Sequence, residues 1–321
     1  MSTQVSPTTA AARQLVAARL PAAEALGRDL AEFVDDPEEF TTRLLEGLTG
    51  LSDAACREGQ LRVAPGITNV LGVRLPILAT IRRSFDRASR QTRPDSLLWL
   101  ADRLLREPAL EARLVAIGIV GRVMPSDPER AWQLLRRIAR QARDWITIDS
   151  LAHDYAKGIL LEPYRWAEVE QLVYSPLAWE RRLVASTIAT LPFADRREGR
   201  RPAIAERALP VIGQLIGDNE PMVQKGLSWA LRSLALADPE ALARWCEQES
   251  VRAAGQADGA RAWVIRDALP ALGPQVAAPI RARLATVRRR THAPSTSTAA
   301  GMAALFQGLP GVDRLAEPPL F

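Results

Sequence analysis

The sequence predicts an all-α fold, an α-solenoid built from helical repeats. Apolar residues recur at three- and four-residue spacing in segments such as 109–124 and 177–191, which is the period of amphipathic helices. No stretch shows the sustained alternation and turn dipeptides that indicate strands. Helix pairs recur about every 35 to 45 residues, a period typical of HEAT-like repeats. An irregular helical bundle remains the alternative architecture.

The helices are predicted in order along the chain. Residues 1–12 are rich in Ser, Thr and Ala, and we expect them to be frayed. Residues 13–60 indicate two or three helices, and residues 74–290 indicate about ten more, joined by short turns. Prolines stand at many of the predicted helix starts, where the missing N–H costs nothing. These prolines are Pro94, Pro108, Pro128, Pro163, Pro176, Pro221 and Pro239.

The predicted domain organisation is a single repeat domain over residues 13–290. A quasi-linear array of this kind needs no second domain and offers a concave face for binding. Residues 291–321 begin with small polar residues and continue with an apolar, Pro- and Gly-containing stretch. We interpret them as a linker and C-terminal tail.

Composition limits the function classes. The chain has 321 residues, with 42 Lys and Arg against 37 Asp and Glu, a net charge of +5. Only Lys157 and Lys225 are lysines. Because arginine binds phosphate through two hydrogen bonds, this excess is compatible with a nucleic-acid partner, although a GC-rich genome also explains it.

Cysteine and histidine are scarce. Two cysteines and two histidines exclude a disulfide framework, a cysteine-rich zinc site and a multi-histidine metal centre. No apolar run is long enough for a membrane span, and the first twenty residues lack a signal-peptide pattern. We therefore expect a reduced cytoplasmic protein with no metal and no membrane partner, and we separately expect a monomer that needs no cofactor.

The common active-site signatures are missing from the sequence. It has no dinucleotide- or phosphate-binding glycine loop, no HExxH motif and no GxSxG motif. A serine triad would need His153 or His292, and we interpret His153 as a surface or cap residue and His292 as part of the linker.

Three segments on successive repeats combine aromatic, acidic and basic residues. The first runs from Asp144 to Ser150, and its Trp145 and Asp149 are four apart, so they share a helix face. The second is Trp179 to Arg182, and the third is Val223 to Arg232. Taken singly, each tryptophan fits a core position and Asp149 fits a cap or a solvated charge.

In these segments the sequence resembles the AlkD-type DNA alkylation repair glycosylases, which are built from HEAT-like repeats. The matching motifs are W-x-x-x-D-S at Trp145, W-x-x-R at Trp179, and Q-K-x-x-x-W-x-L-R at Gln224. A short G-[IV]-x-x-P turn at Gly72 also matches. The resemblance covers about residues 60–270.

The resemblance implies excision of N3- and N7-alkylated purines from double-stranded DNA, as in base excision repair. It implies that Trp145, Asp149 and Trp229 form the catalytic cleft and that Arg182 holds the DNA backbone. Such a base is already cationic, so it leaves without a general acid. A carboxylate and indole faces are then enough to stabilise the charge that grows on the sugar.

Further DNA-binding candidates adjoin these motifs: Arg143, Arg181, Lys225 and Arg232. Three basic clusters offer phosphate contacts, although a solvated face explains each equally well. The clusters are Arg136, Arg137, Arg140 and Arg143; Arg196, Arg197, Arg200 and Arg201; and Arg288 to Arg290. Two other functions stay open, a non-catalytic binder of damaged or branched DNA and a HEAT-repeat scaffold for protein partners.

Overall fold

The computed structural model describes residues 7–64, 66–290 and 292–306. In this part of the chain it contains sixteen α-helices, three short 3-10 helices and no strand. The helices are α1 Pro7–Asp29, α2 Pro37–Gly50, α3 Ala54–Val63, α4 Leu75–Ala88, α5 Pro94–Leu104, α6 Leu110–Val123, α7 Pro128–Gln141, α8 Trp145–Leu161, α9 Arg165–Gln171, α10 Ala178–Ala194, α11 Pro202–Leu215, α12 Pro221–Leu234, α13 Pro239–Gly255, α14 Gly259–Ala268, α15 Pro274–Arg283 and α16 Thr298–Ala304.

The predicted all-α repeat architecture is confirmed. Four of the seven prolines begin their helices: Pro94, Pro128, Pro221 and Pro239. Pro108, Pro163 and Pro176 instead stand two residues before α6, α9 and α10. Before α6 and α10 the intervening residue is extended, so the helix starts two residues later than a proline at the first helical position would suggest.

The chain divides into two compact units, residues 1–134 and 135–321, with the division inside α7. In the first unit α1 packs on α4, and α5 packs on α2 and α6. The buried carboxylate of Glu111 accepts hydrogen bonds from the backbone N–H groups of Leu71, Gly72 and Val73, at 2.7 to 3.1 Å. Gly72 has φ +90°, which a residue with a side chain rarely adopts. These contacts fix the turn that precedes α4.

The second unit contains a layer formed by alternate helices. In this layer α10 packs between α8 and α12, and α12 packs on α14. The helices α11, α13 and α15 form successive contacts in the other layer. Helix α10 is buried on nearly all sides from Glu180 to Pro192, as expected of a helix with neighbours on both flanks.

Parallel contacts define the direction of this layer. Asp149 of α8 contacts Arg182 of α10, and Ala152 further along α8 contacts Thr190 further along α10. Met222 at the start of α12 contacts Arg182 as well, and Gly226 one turn further along α12 lies against Ala185 further along α10. The three helices therefore run in the same direction, and their N-terminal ends lie side by side. We call this the N-terminal edge of α8, α10 and α12.

Two predictions concern the chain ends. Residues 1–6 of the expected frayed segment and residues 307–321 of the expected tail lie outside the described residues. Residues 292–306 pack on the second unit, where α16 contacts α11 and the 3-10 helix Leu172–Tyr174. Within the described residues no helix is long and apolar enough to cross a membrane.

Candidate active site

Helix α8 begins at a buried cap. Asp144, 1% exposed, accepts hydrogen bonds from the backbone N–H of Thr147 at 2.7 Å and from the Thr147 hydroxyl at 2.8 Å. Such an N-cap fixes the first turn of a helix. Trp145 is therefore the first helical residue, with Asp149 one turn further on, and both are partly exposed.

The Asp149 carboxylate is held by two residues of α10. Arg182 donates from Nε to Oδ1 at 3.1 Å and from Nη2 to Oδ2 at 2.7 Å, a two-pronged ion pair. Ser186, fully buried, donates its hydroxyl to Oδ1 at 2.7 Å. Oδ1 thus accepts two hydrogen bonds from these residues and Oδ2 accepts one. With its side chain 20% exposed, Asp149 keeps a solvent-facing side.

Arg182 connects three helices. Besides the pair with Asp149 of α8, its Nη1 donates to the carbonyl of Met222 at 2.6 Å, at the start of α12. Its side chain is only 6% exposed. Three of its five N–H groups therefore bond to the protein, and its clearest role in the structure is to orient Asp149.

Helix α12 carries the third motif. Lys225 is exposed, and Trp229, four residues later and on the same helix face, is partly exposed. Arg232 forms an ion pair with Asp267 of α14, and its side chain is 37% exposed. Exposed pairs of this kind contribute little and exchange partners readily, so Arg232 remains accessible to a phosphate.

Arg181 lies in the protein interior. Its Nε donates to Asp218 Oδ2 at 2.8 Å, and its Nη1 donates to the carbonyls of Ser175 and Pro176 at 2.9 and 3.2 Å. The side chains of Arg181 and Asp218 are 6% and 0% exposed. The structure therefore gives Arg181 a structural position, joining the start of α10 to the turn before α12, and does not bring it to the surface with Lys225.

The three basic clusters differ in their surroundings. In the first, Arg143 donates to the backbone carbonyls of Arg140 and Ala142 at 2.8 and 2.7 Å, and burial lowers the pKa of its guanidinium. The second follows the C-terminal end of α10, opposite the N-terminal edge. The third, Arg288 to Arg290, follows α15 and is exposed.

Ser186 is the site residue that the sequence analysis missed. It stands four residues after Arg182 on the same helix face, inside an apolar run. A lone hydroxyl at that spacing from a charged motif residue was the available signal. In the described part of the chain no group of three or more His, Cys, Asp or Glu side chains could hold a metal ion.

The comparison with protein families agrees with these motifs. The family model described as DNA alkylation repair enzyme matches residues 44–272, which include all of α3 to α14. No curated protein matches the chain significantly. The chain belongs to the DNA alkylation repair enzyme family, which confirms the resemblance inferred from the sequence. Its role therefore lies in DNA alkylation repair, and its substrate class is DNA.

Proposed function

We propose that this protein is a DNA glycosylase that excises cationic N3- and N7-alkylated purines from double-stranded DNA. The observation that carries the proposal is the Asp149 carboxylate, fixed by Arg182 and Ser186 and open to solvent on one side. Asp149 lies on α8. Helix α10 packs between α8 and α12, and α12 carries Trp229. Family membership supplies the DNA substrate.

The chemistry fits a site with one carboxylate. In the proposed step the bond between C1′ of the deoxyribose and the purine nitrogen breaks, and its electron pair neutralises the cationic base. Positive charge then grows on the sugar, and the Asp149 carboxylate stabilises it electrostatically. Water adds its oxygen to C1′ and loses a proton to solvent. Oδ2, which has fewer hydrogen bonds than Oδ1, is the oxygen that we assign to this role.

A fixed carboxylate is more effective than a mobile one. Arg182 and Ser186 are held by burial, so Asp149 does not have to reorganise as the charge develops. The guanidinium also balances the carboxylate before the substrate binds, which limits the cost of partial burial. In this proposal Arg182 and Ser186 are positioning residues.

Trp145 and Trp229 are proposed to contact the lesion from the two flanking helices. Both are partly exposed, unlike Trp132 and Trp166, which are 0% and 4% exposed. An indole face attracts a cation by about 0.5–2 kcal/mol, depending on desolvation. A cationic base and a cationic sugar are both suitable partners.

The proposed DNA contacts are Arg143, Lys225 and Arg232, whereas Arg182 stays with Asp149 as a positioning residue. The parallel N-terminal ends of α8, α10 and α12 add partial positive charge at one edge. A phosphate backbone that follows this edge would pass the Asp149 site. Arg181 does not enter this proposal as a contact, because its hydrogen bonds are made inside the protein.

The proposal is tested by incubating the protein with a duplex that contains N7-methylguanine and measuring the released base. A cationic base also leaves slowly unaided, so the same duplex without protein gives the background. We expect release well above that background. Binding without release would favour the non-catalytic DNA binder, and no salt-sensitive DNA binding would favour the protein scaffold.

A further inference from the structure

Residues 284–290 are fixed along α14 after α15 ends. Nη1 of Arg266 donates to the carbonyls of Leu284 and Val287, each at 2.9 Å. Gly259, the first residue of α14, lies under the segment, because a Cβ there would come within 2.2 Å of the Arg288 carbonyl oxygen. Only glycine permits this close approach.

Arg289 anchors the segment to the N-terminal edge. Its Nη1 donates to Oε1 of Gln224 at 2.8 Å, and its guanidinium lies 5.8 Å from the Trp263 ring centroid. Gln224 is fully buried and donates from Nε2 to the Asp218 carbonyl at 2.7 Å. Gln224 is the fourth residue of α12, so Arg289 is held at the helix end where Met222 meets Arg182.

Thr296 and Ser297, further along the chain, are fixed as well. Thr296 donates its N–H to the Gly217 carbonyl at 3.1 Å and its hydroxyl to Asp258. Ser297 donates its hydroxyl to the Gln214 carbonyl at 2.6 Å. The arginines therefore stand between two docked stretches, which reduces the entropy that they would lose on binding a ligand.

Arg288 and Arg290 flank the anchor and are exposed. Neither forms an ion pair with any residue that the structure describes, whereas Arg252 of α13 and Arg283 of α15 pair with glutamates. Burial, together with the charge of Arg288, lowers the pKa of Arg266. The segment is thus a locally positive site without an acidic partner, and its chemistry suits an anion.

We propose that Arg288 and Arg290 bind DNA phosphates and that Arg289 positions them, a site that we call the C-terminal arginine clamp. It rests on the proposed function, because the ligand is the same duplex. The clamp lies beyond residues 44–272, which the family model matches. It would extend the DNA-binding surface of the N-terminal edge beyond Asp149 and the exposed Lys225, at the end of α12 where Arg289 contacts Gln224. Guanidinium groups suit this role because they bind phosphate oxygens in pairs.

The test is the salt dependence of binding to an undamaged duplex, measured by fluorescence anisotropy. Each neutralised phosphate contributes about 0.9 to the slope of log affinity against log salt. The double variant Arg288→Gln/Arg290→Gln should therefore lose about 1.8 from that slope and bind more weakly at low salt. An unchanged slope would overturn the clamp.

A control variant with the same change in net charge is Arg244→Gln/Arg281→Gln. Both residues are exposed, and they lie on α13 and α15 in the other layer. The control should keep the wild-type slope. An equal loss of slope in both variants would indicate a general effect of net charge and would also overturn the clamp.

Base release by the unaltered protein separates the clamp from the proposed function. Release above background with an unchanged slope in the clamp variant refutes the clamp alone. A reduced slope in the clamp variant without release by the unaltered protein refutes the glycosylase activity and retains the DNA contact. Absence of any salt-dependent binding refutes both.

Discussion

Two neighbouring arginines of α10 each pair with an aspartate, and the two pairs differ in access to solvent. The Arg181–Asp218 pair is closed, with both side chains 6% exposed or less. The Arg182–Asp149 pair is open on the aspartate side, where the Asp149 side chain is 20% exposed. The same chemistry thus serves two purposes. A closed pair fixes helices relative to one another, whereas an open pair leaves a pre-oriented charge available to a substrate.

The largest expected effect comes from a substitution that breaks the closed pair. Arg181→Met leaves Asp218 buried without its guanidinium, which typically costs about 3–5 kcal/mol of stability. The matched control is Arg207→Met, because Arg207 pairs with Glu170 at 2.9 Å on the surface, where its side chain is 46% exposed. That change should cost at most about 1 kcal/mol. Urea unfolding measures the free energy of unfolding of both variants. Equal losses would show that the closed pair stabilises the protein no more than a surface pair does.

The next effect concerns the hydroxyl that supports the open pair. Ser186→Ala removes one hydrogen bond to a carboxylate, and bonds to charged groups contribute about 1.5–3 kcal/mol. We expect single-turnover excision to slow by about 10- to 100-fold, with DNA affinity unchanged and with recovery in Ser186→Thr.

The control for Ser186 is one turn further along α10. Thr190 is also fully buried and also bonds to α8, through the Ala152 carbonyl at 2.8 Å, but it does not contact Asp149. Thr190→Val should lower stability and leave excision per folded protein unchanged. Equal slowing by both variants would mean that Ser186 acts only through packing.

The smallest expected effect tests the flanking tryptophans. Trp145→Ala and Trp229→Ala should each slow excision by roughly 2- to 30-fold, the equivalent of about 0.5–2 kcal/mol of cation–π stabilisation. Trp166→Ala, at a buried position, should instead cost about 3–5 kcal/mol of stability. Melting temperatures measured beside excision rates distinguish the two roles. A fall in melting temperature in Trp145→Ala and Trp229→Ala as large as in Trp166→Ala would show that both rings are core residues.

The contrast between the two arginines also marks the limit of sequence reasoning. Helical periodicity and proline positions predicted the fold, because both are local properties of the chain. Apart from the family resemblance, which singled out Arg182, nothing in the sequence separates Arg181 from Arg182, since both follow Trp179 closely. Consecutive helical residues point about 100° apart, so one faces the turn before α12 and the other faces α8. Which direction leads to solvent depends on helix packing.

The partners of these arginines lie far along the chain. Asp149 is 33 residues before Arg182, and Asp218 is 37 residues after Arg181. The register between neighbouring helices decides such pairs, and it follows from side-chain packing across the whole layer. Ser186 could have been predicted from the sequence, because it is a hydroxyl residue one helical turn after Arg182.

The most direct test of the open pair is Asp149→Asn. The amide keeps the size of the side chain and removes the charge that is proposed to stabilise the transition state. Losing one such electrostatic contact typically costs ~10²–10³ in rate. Single-turnover excision of N7-methylguanine per folded protein, corrected for spontaneous depurination, should therefore fall at least tenfold, with DNA affinity nearly unchanged. Because Asn leaves the nearly buried Arg182 without its counter-charge, the melting temperature should fall as well. Excision at the wild-type rate would contradict a catalytic Asp149 and reduce the open pair to a structural contact like the closed one.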